Sequence, residues 1–152
     1  MARIPRINLL AGWYHCINRG VGKNTIFFDQ EDYQGFADDV ANIAKPYSID
    51  LAAFCLMPNH WHIVLYCNDS RLMSEFFRKI LNNHTRRHHT KYRTIGHGSI
   101  YQGRFKSFLI KDELVLNTIC EYVLQNPLRA DLVTKIEEWP WTFYKQWGQS
   151  RD

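Results

Sequence analysis

No stretch of this 152-residue chain comes near the ~18 consecutive apolar residues of a membrane-spanning helix. The short apolar patch "INLLAG" lacks the longer core and cleavage site of a secretory leader, so the protein is read as cytoplasmic, with no membrane partner. Cysteines at metal-binding spacing are also missing. Cys16, Cys55, Cys67 and Cys120 stand apart in apolar contexts with no C-x-x-C, which argues against a zinc ribbon and for buried, reduced thiols. Internal repeats, low-complexity tracts and linkers are absent too. Residues 1–152 are therefore read as one domain, with 127–152 as a C-terminal extension packing on it. Acidic residues are scarce where basic ones gather. The first 28 residues hold Arg3, Arg6, Arg19 and Lys23 and no acid. From Arg71 to Lys111, ten Lys/Arg meet a single acid, Glu75, so that span carries 10 − 1 = +9 against +4 for the chain. A basic middle with aromatics among it is the footprint of a polyanion-binding surface; the plainer alternative is a solvated helix face.

What is present supports a packed core: 45% of residues are apolar and 14% aromatic. "GWYHCINRG" (Gly12 to Gly20) has the aromatic and β-favouring residues of a strand. A helix follows, with Asp29 as its cap, an apolar stripe at Tyr33, Phe36/Ala37, Val40 and Ile43/Ala44, and an end at Pro46. "IDLAAFCLM" reads as a strand that turns at Pro58-Asn59 into a second one, "HWHIVLY", forming an antiparallel hairpin. A second helix begins near Asn68-Asp69-Ser70. Its stripe is Leu72/Met73, Phe76/Phe77 and Ile80/Leu81, with Arg71, Arg78, Lys79 and Arg86 on the opposite arc. "GHGSIYQGRFKSFLI" alternates like a strand, placing Gln102, Arg104 and Lys106 on one face. A third helix runs from a cap at Asp112 to a stop at Pro127, and the remainder is a loop with a short aromatic-rich closing segment. The order β-α-β-β-α-β plus a further C-terminal helix predicts an α+β, ferredoxin-like antiparallel sheet with two helices on one face. The histidine-bearing strand would then lie centrally, with the third helix available to cover its other face.

Within that strand, His60 and His62 are two residues apart and so share a face, while Trp61, Ile63 and Leu65 take the other. Two same-face histidines are either ordinary polar surface or metal ligands, since neutral imidazole is the commonest metal ligand. Two ligands hold a metal poorly, and a third is needed. On the third helix, Tyr122 and Asn126 are four residues apart and predicted one turn from each other on one face. An Asn carboxamide oxygen can ligate Mg²⁺ or Mn²⁺. A tyrosine hydroxyl beside a metal-bound phosphate could act as a nucleophile, although free tyrosine, with a pKa near ~10, needs activation. Equally, Tyr122 fits a half-buried aromatic and Asn126 an ordinary helix-end residue, and spacing does not decide between these.

Six blocks, "RIPRI" with "GWYHCINRG", "IFFDQEDY", "FCLMPNHWHIVL", "YQGRFKS" and "YVLQNPLRADLV", resemble in order the single-tyrosine HUH (His-hydrophobic-His) transposases, and within them the REP-associated tyrosine transposases. The resemblance covers nearly the whole chain. It implies that the C-terminal helix is catalytic, with Tyr122 as nucleophile and His60, His62 and Asn126 holding Mg²⁺ or Mn²⁺. It implies a single-stranded DNA substrate, a hairpin from a repetitive extragenic palindrome, nicked and rejoined by transesterification through a 5′-phosphotyrosine. The protein would work as a monomer or homodimer. Arg78, Lys79, Arg86, Arg87, Arg104 and Lys106 would then hold the DNA backbone, and Arg3 and Arg6 would act as a basic N-terminal arm. Tyr101 and Phe105 are candidates either for stacking on unpaired bases or for the core. Trp61 is bulkier than the aliphatic residue usual at its place in the motif and is expected to face away from the metal. The competing readings are a non-catalytic binder of structured single-stranded nucleic acid, and a metal-dependent hydrolase that uses water.

Overall fold

In a computed structural model of the chain, residues 11–145 are described. Five strands form one antiparallel sheet in the order β4-β1-β3-β2-β5. They are β1 (Gly12–Arg19), β2 (Asp50–Met57), β3 (His60–Cys67), β4 (Lys106–Ile110) and β5 (Thr142–Tyr144). The helices are α1 (Gln30–Ala44), α2 (Ser70–Tyr92), α3 (Glu113–Leu124) and α4 (Asn126–Arg129). Each of the three long helices starts where a carboxylate can accept from a free backbone N–H. Asp29 accepts from Asp32, Asp69 from Arg71 and Asp112 from Val115. β2 and β3 are joined by Pro58-Asn59 alone, which makes them antiparallel neighbours. The ferredoxin-like expectation holds, and β3 is central.

The two faces of the sheet are covered differently. Trp61, Ile63 and Leu65 of β3 pack with Tyr33, Phe36 and Val40 of α1 and Met73, Phe76, Phe77 and Ile80 of α2 in the larger core. Burying these side chains at roughly 25 cal/mol per Å² is the main driving force for holding α1 and α2 on the sheet. Trp61 is fully buried there, stacked on Phe77 at 5.4 Å, and its indole N–H donates to the Tyr101 hydroxyl at 3.2 Å. Tyr101 in turn meets His84 Nδ1 at 2.5 Å, and His84 Nε2 meets the Ile26 carbonyl at 3.0 Å. Each polar atom in this buried chain is therefore matched. The bulky middle residue of the histidine motif does face away from the imidazoles, as expected. On the opposite face, Leu116, Cys120 and Val123 of α3 pack on Ala53, Cys55, Val64 and Ile110. All four cysteines are buried, and none is joined in a disulfide among the described residues.

Three details differ from the sequence reading, and one choice it left open, for Tyr101 and Phe105, is decided. The segment 96–110 is a strand only from Lys106. Gly96 and Gly98 adopt φ of 91° and 90°, a left-handed backbone that interrupts an extended chain, and Tyr101 contributes only an isolated bridge to Gly20. Tyr101 and Phe105 are 5% and 6% exposed and belong to the core, so they are not platforms for unpaired bases. The closing segment contains β5, which extends the sheet beyond β2. Pro127 does not end α3. The helix stops at Leu124, and Pro127 sits in the first turn of α4, where its missing N–H is no loss.

Candidate active site

Strand alternation and register put Trp13, His15, Ile17 and Arg19 of β1, His60 and His62 of β3, and Lys106 and Phe108 of β4 on one face. α3 covers the end of this face that carries Val64 and Ile110. The other end stays open as a cleft of about 600 Å³ lined by Arg19, Lys23, Asn59, His60, His62, Gln102, Arg104 and Lys106. Four of these side chains are cationic and none is acidic. Arg19 donates through Nε to Gln102 Oε1, which ties β1 to the loop before β4.

The two imidazoles stand edge to face with centroids 5.2 Å apart. His60 Nδ1 donates to Asn59 Oδ1 at 2.7 Å. His62 Nδ1 lies 2.9 Å from Nε2 of His15, and the two rings stack at 5.2 Å. Both Nδ1 atoms are thus engaged, which leaves both Nε2 atoms for another ligand. Burial lowers the pKa of His60, and the Arg19 charge adds to it. Burial likewise takes His62 down to about 3, helped by His15, His60 and Arg129. Both rings are therefore neutral near pH 7, the form that binds a metal.

Tyr122, near the end of α3, reaches the boundary between the covered and open parts of this face. It is 51% exposed, and its ring stands edge-on to His62 at 6.3 Å between centroids. The Arg129 guanidinium lies 3.9 Å from the Tyr122 ring centre, and one of its terminal nitrogens donates to the Tyr122 carbonyl at 2.7 Å. Asn126 begins α4 and so is not on the same helix as Tyr122. Its Nδ2 is buried and meets no hydrogen-bond partner among the described residues. Carboxamide oxygen and nitrogen exchange places by a half-turn, so an amide oxygen can be presented there without breaking a hydrogen bond to the protein. Among the described residues no three His, Cys, Asp or Glu are grouped to hold a metal. Two neutral imidazoles plus a carboxamide are a donor set of a different kind, and one suited to a divalent cation.

The basic residues separate into two groups. Arg104 and Lys106 line the cleft. Arg78, Lys79, Arg86 and Arg87 belong to α2, which packs on the opposite face of the sheet. There Arg78 pairs with Glu75 at 2.6 Å and Arg87 with Asp39 at 2.7 Å, while Lys79 and Arg86 point to solvent. Arg3 and Arg6 lie outside the described residues. Reading the sequence alone passed over His15 and Arg129, named Asn59 only as a turn residue, and gave Arg19 and Lys23 no role beyond their charge. His15 had a signal, since it alternates in phase with Arg19 on β1, but its approach to His62 needs the strand register. Arg129 had none beyond lying three residues after Asn126.

A ferredoxin-like sheet whose central strand shows two imidazoles to a basic cleft, with a helix-borne tyrosine at the rim, defines a narrow class of protein. Residues 9–126 match the family described as "Transposase IS200 like", and the chain belongs to that family. A Haemophilus influenzae protein assigned as a REP-associated tyrosine transposase is 27% identical over 109 residues, covering 64% of this chain and 60% of that one. The chain thus matches somewhat under two thirds of the length of this curated relative. A solved structure of a REP-associated tyrosine transposase bound to a REP hairpin superposes with a TM-score of 0.70 at 19% identity, over 93% of this chain and 82% of that one. A crystal structure of a Deinococcus radiodurans protein assigned as a transposase gives 0.54, also at 19% identity, over 80% and 95%. At such identity these structures bear on the fold. Among the described residues no helix is long and apolar enough to cross a membrane.

Proposed function

We propose that this chain nicks and rejoins single-stranded DNA beside a hairpin by transesterification at Tyr122. The observation that carries the reading is the Tyr122 ring standing edge-on to His62, which itself lines a cleft with four cations and no acid. The substrate proposed is a hairpin from a repetitive extragenic palindrome, the kind of DNA bound in the structural neighbour. Arg19, Lys23, Arg104 and Lys106 hold the phosphates of the strand that enters the cleft. Lys79 and Arg86, on the far face, add to the long-range field that draws the polyanion in.

His60, His62 and Asn126 are the residues that would hold Mg²⁺ or Mn²⁺. Such a cation, when bound, polarises a phosphoryl oxygen and stabilises charge in the transition state. The phenol oxygen of Tyr122 forms the bond to phosphorus and the 3′-oxygen leaves with a proton. The 5′-phosphate is then on the tyrosine, and attack by another 3′-oxygen reverses the step. The exchange needs no nucleotide cofactor because one phosphoester replaces another.

The test is to incubate the protein with Mn²⁺ and end-labelled single-stranded hairpins from the DNA flanking its gene, then run a denaturing gel. A slow-migrating covalent species is expected, lost in Tyr122→Phe while hairpin binding is kept. Binding without scission would mean a non-catalytic hairpin binder. Free 5′-phosphate ends without an adduct would mean hydrolysis by water.

A further inference from the structure

We infer that Arg129 contacts the phosphate that Tyr122 attacks, as the fixed positive charge of the protein at that phosphate; the inference rests on the reading of Tyr122 as nucleophile. Two observations lead there. First, the guanidinium is clamped to the nucleophile twice, by its plane over the ring at 3.9 Å and by its bond to the Tyr122 carbonyl at 2.7 Å. Both contacts keep the guanidinium beside the phenol ring. Arg129 lies in the last turn of α4, whose first turn is fixed by the buried Pro127 with its restricted φ. Second, the charge is uncompensated. Arg71, Arg78 and Arg87 each sit within 2.6–3.1 Å of a carboxylate, whereas Arg129 forms no ion pair among the described residues. A guanidinium has five N–H donors, and among the described residues only the bond to the Tyr122 carbonyl is made. The remainder form a planar fork matched to phosphate oxygens.

In the reaction, a bond forms between the Tyr122 oxygen and phosphorus while the bond from phosphorus to the 3′-oxygen breaks. The phenol proton passes to solvent and the departing 3′-oxygen takes one up. Negative charge gathers meanwhile on the non-bridging oxygens, and Arg129 faces it there. Arg129 thus has two jobs at one position: it orients the ring, and it neutralises the group the ring attacks.

The two jobs are separated by changing the charge of the substrate. Single-turnover adduct formation is measured with a natural scissile phosphate and with a neutral methylphosphonate at the same place, for wild type, Arg129→Ala and Arg129→Gln. Gln keeps an N–H donor for the Tyr122 carbonyl and removes the charge. On phosphate, both variants are expected to slow by about 100-fold or more, with hairpin affinity nearly unchanged. On the methylphosphonate, the gap to wild type should shrink to about tenfold or less, because that group carries one negative charge fewer for Arg129 to offset. An equal gap on both substrates, or a Gln variant as fast as wild type on phosphate, overturns the inference and leaves Tyr122 as nucleophile. Absence of an adduct with wild type on phosphate removes the reading of Tyr122 and this inference with it.

Discussion

Replacing Trp61 by leucine separates the fold from the site, because the indole and the two imidazoles project from the same strand in opposite directions. The cost can be worked from its surroundings. Trp61 is fully buried, stacked on Phe77 and packed against Phe36 at 5.8 Å. Removing such a ring down to alanine costs about 3–5 kcal/mol, and leucine refills part of the space, leaving about 2–3 kcal/mol. The Tyr101 hydroxyl also loses the indole N–H donor, for about 1 kcal/mol more. The sum is about 3–4 kcal/mol. With a urea slope of about 2 kcal/mol/M for a domain of this size, the unfolding midpoint should fall by about 1.5–2 M. Below that midpoint, Mn²⁺ affinity should stay within about twofold of wild type, since Nε2 of His60 and His62 lies on the far side of the sheet. Isothermal titration of Mn²⁺ and urea unfolding followed by circular dichroism are the two assays. A leucine variant as stable as wild type would refute the packing argument. A folded variant that has lost the metal would refute the separation of faces.

Other outcomes follow from the same geometry. Burial holds His84 neutral by lowering its pKa from the ordinary 6.5 to about 4. The folded state therefore binds fewer protons than the unfolded one. The contribution is whole above pH 6.5 and is lost as pH falls toward 4, about 3 kcal/mol in all, so His84→Gln should flatten the dependence of urea stability on pH across that window. His15→Phe keeps every proposed metal ligand but removes the contact that holds His62 Nδ1. Metal affinity measured by titration should drop about 10–100-fold, and an unchanged affinity would deny His15 that role. A Cβ on Gly20 would sit 2.2 Å from the Asn24 carbonyl oxygen, so Gly20→Ala must displace the turn that carries Lys23, and weaker binding of single-stranded DNA by filter assay is expected. Four phosphate contacts in the cleft imply a slope of log K against log salt near −3. Arg104→Ala and Lys106→Ala should each lower its magnitude by about 0.7, and Lys79→Ala should leave it unchanged.

Much of the fold was legible because its signals are local. Asp29, Asp69 and Asp112 announced three helices, and each accepts the expected backbone N–H. Alternation in "HWHIVLY" placed Trp61 and the histidines on opposite faces, and the two-residue turn fixed the hairpin. Where regular backbone and periodicity disagreed, periodicity misled. The alternation through "GHGSIYQGRF" is real, but Gly96 and Gly98 bend the chain, and Tyr101 and Phe105 enter the core from a loop. Pro127 was read as a stop, although proline serves equally well as a start, as it does in α4. The site was legible only as its motif residues. The residues around them, His15 beside His62 and Arg129 over Tyr122, meet through strand register and a tight turn between two helices, and neither leaves a mark on sequence spacing. The charge excess of the middle segment was read as one surface. Its members lie on both sides of a sheet, and among the described candidates only Arg104 and Lys106 share a face with the imidazoles.

The central claim is that Tyr122 becomes covalently joined to DNA. Protease digestion of the protein after incubation with Mn²⁺ and a single-stranded hairpin, followed by mass spectrometry of the nucleotide-bearing peptide, tests it most directly. The account predicts a single modified peptide with the 5′-phosphate on Tyr122. A nucleotide found on any other residue, or cleaved DNA with no modified peptide, contradicts it.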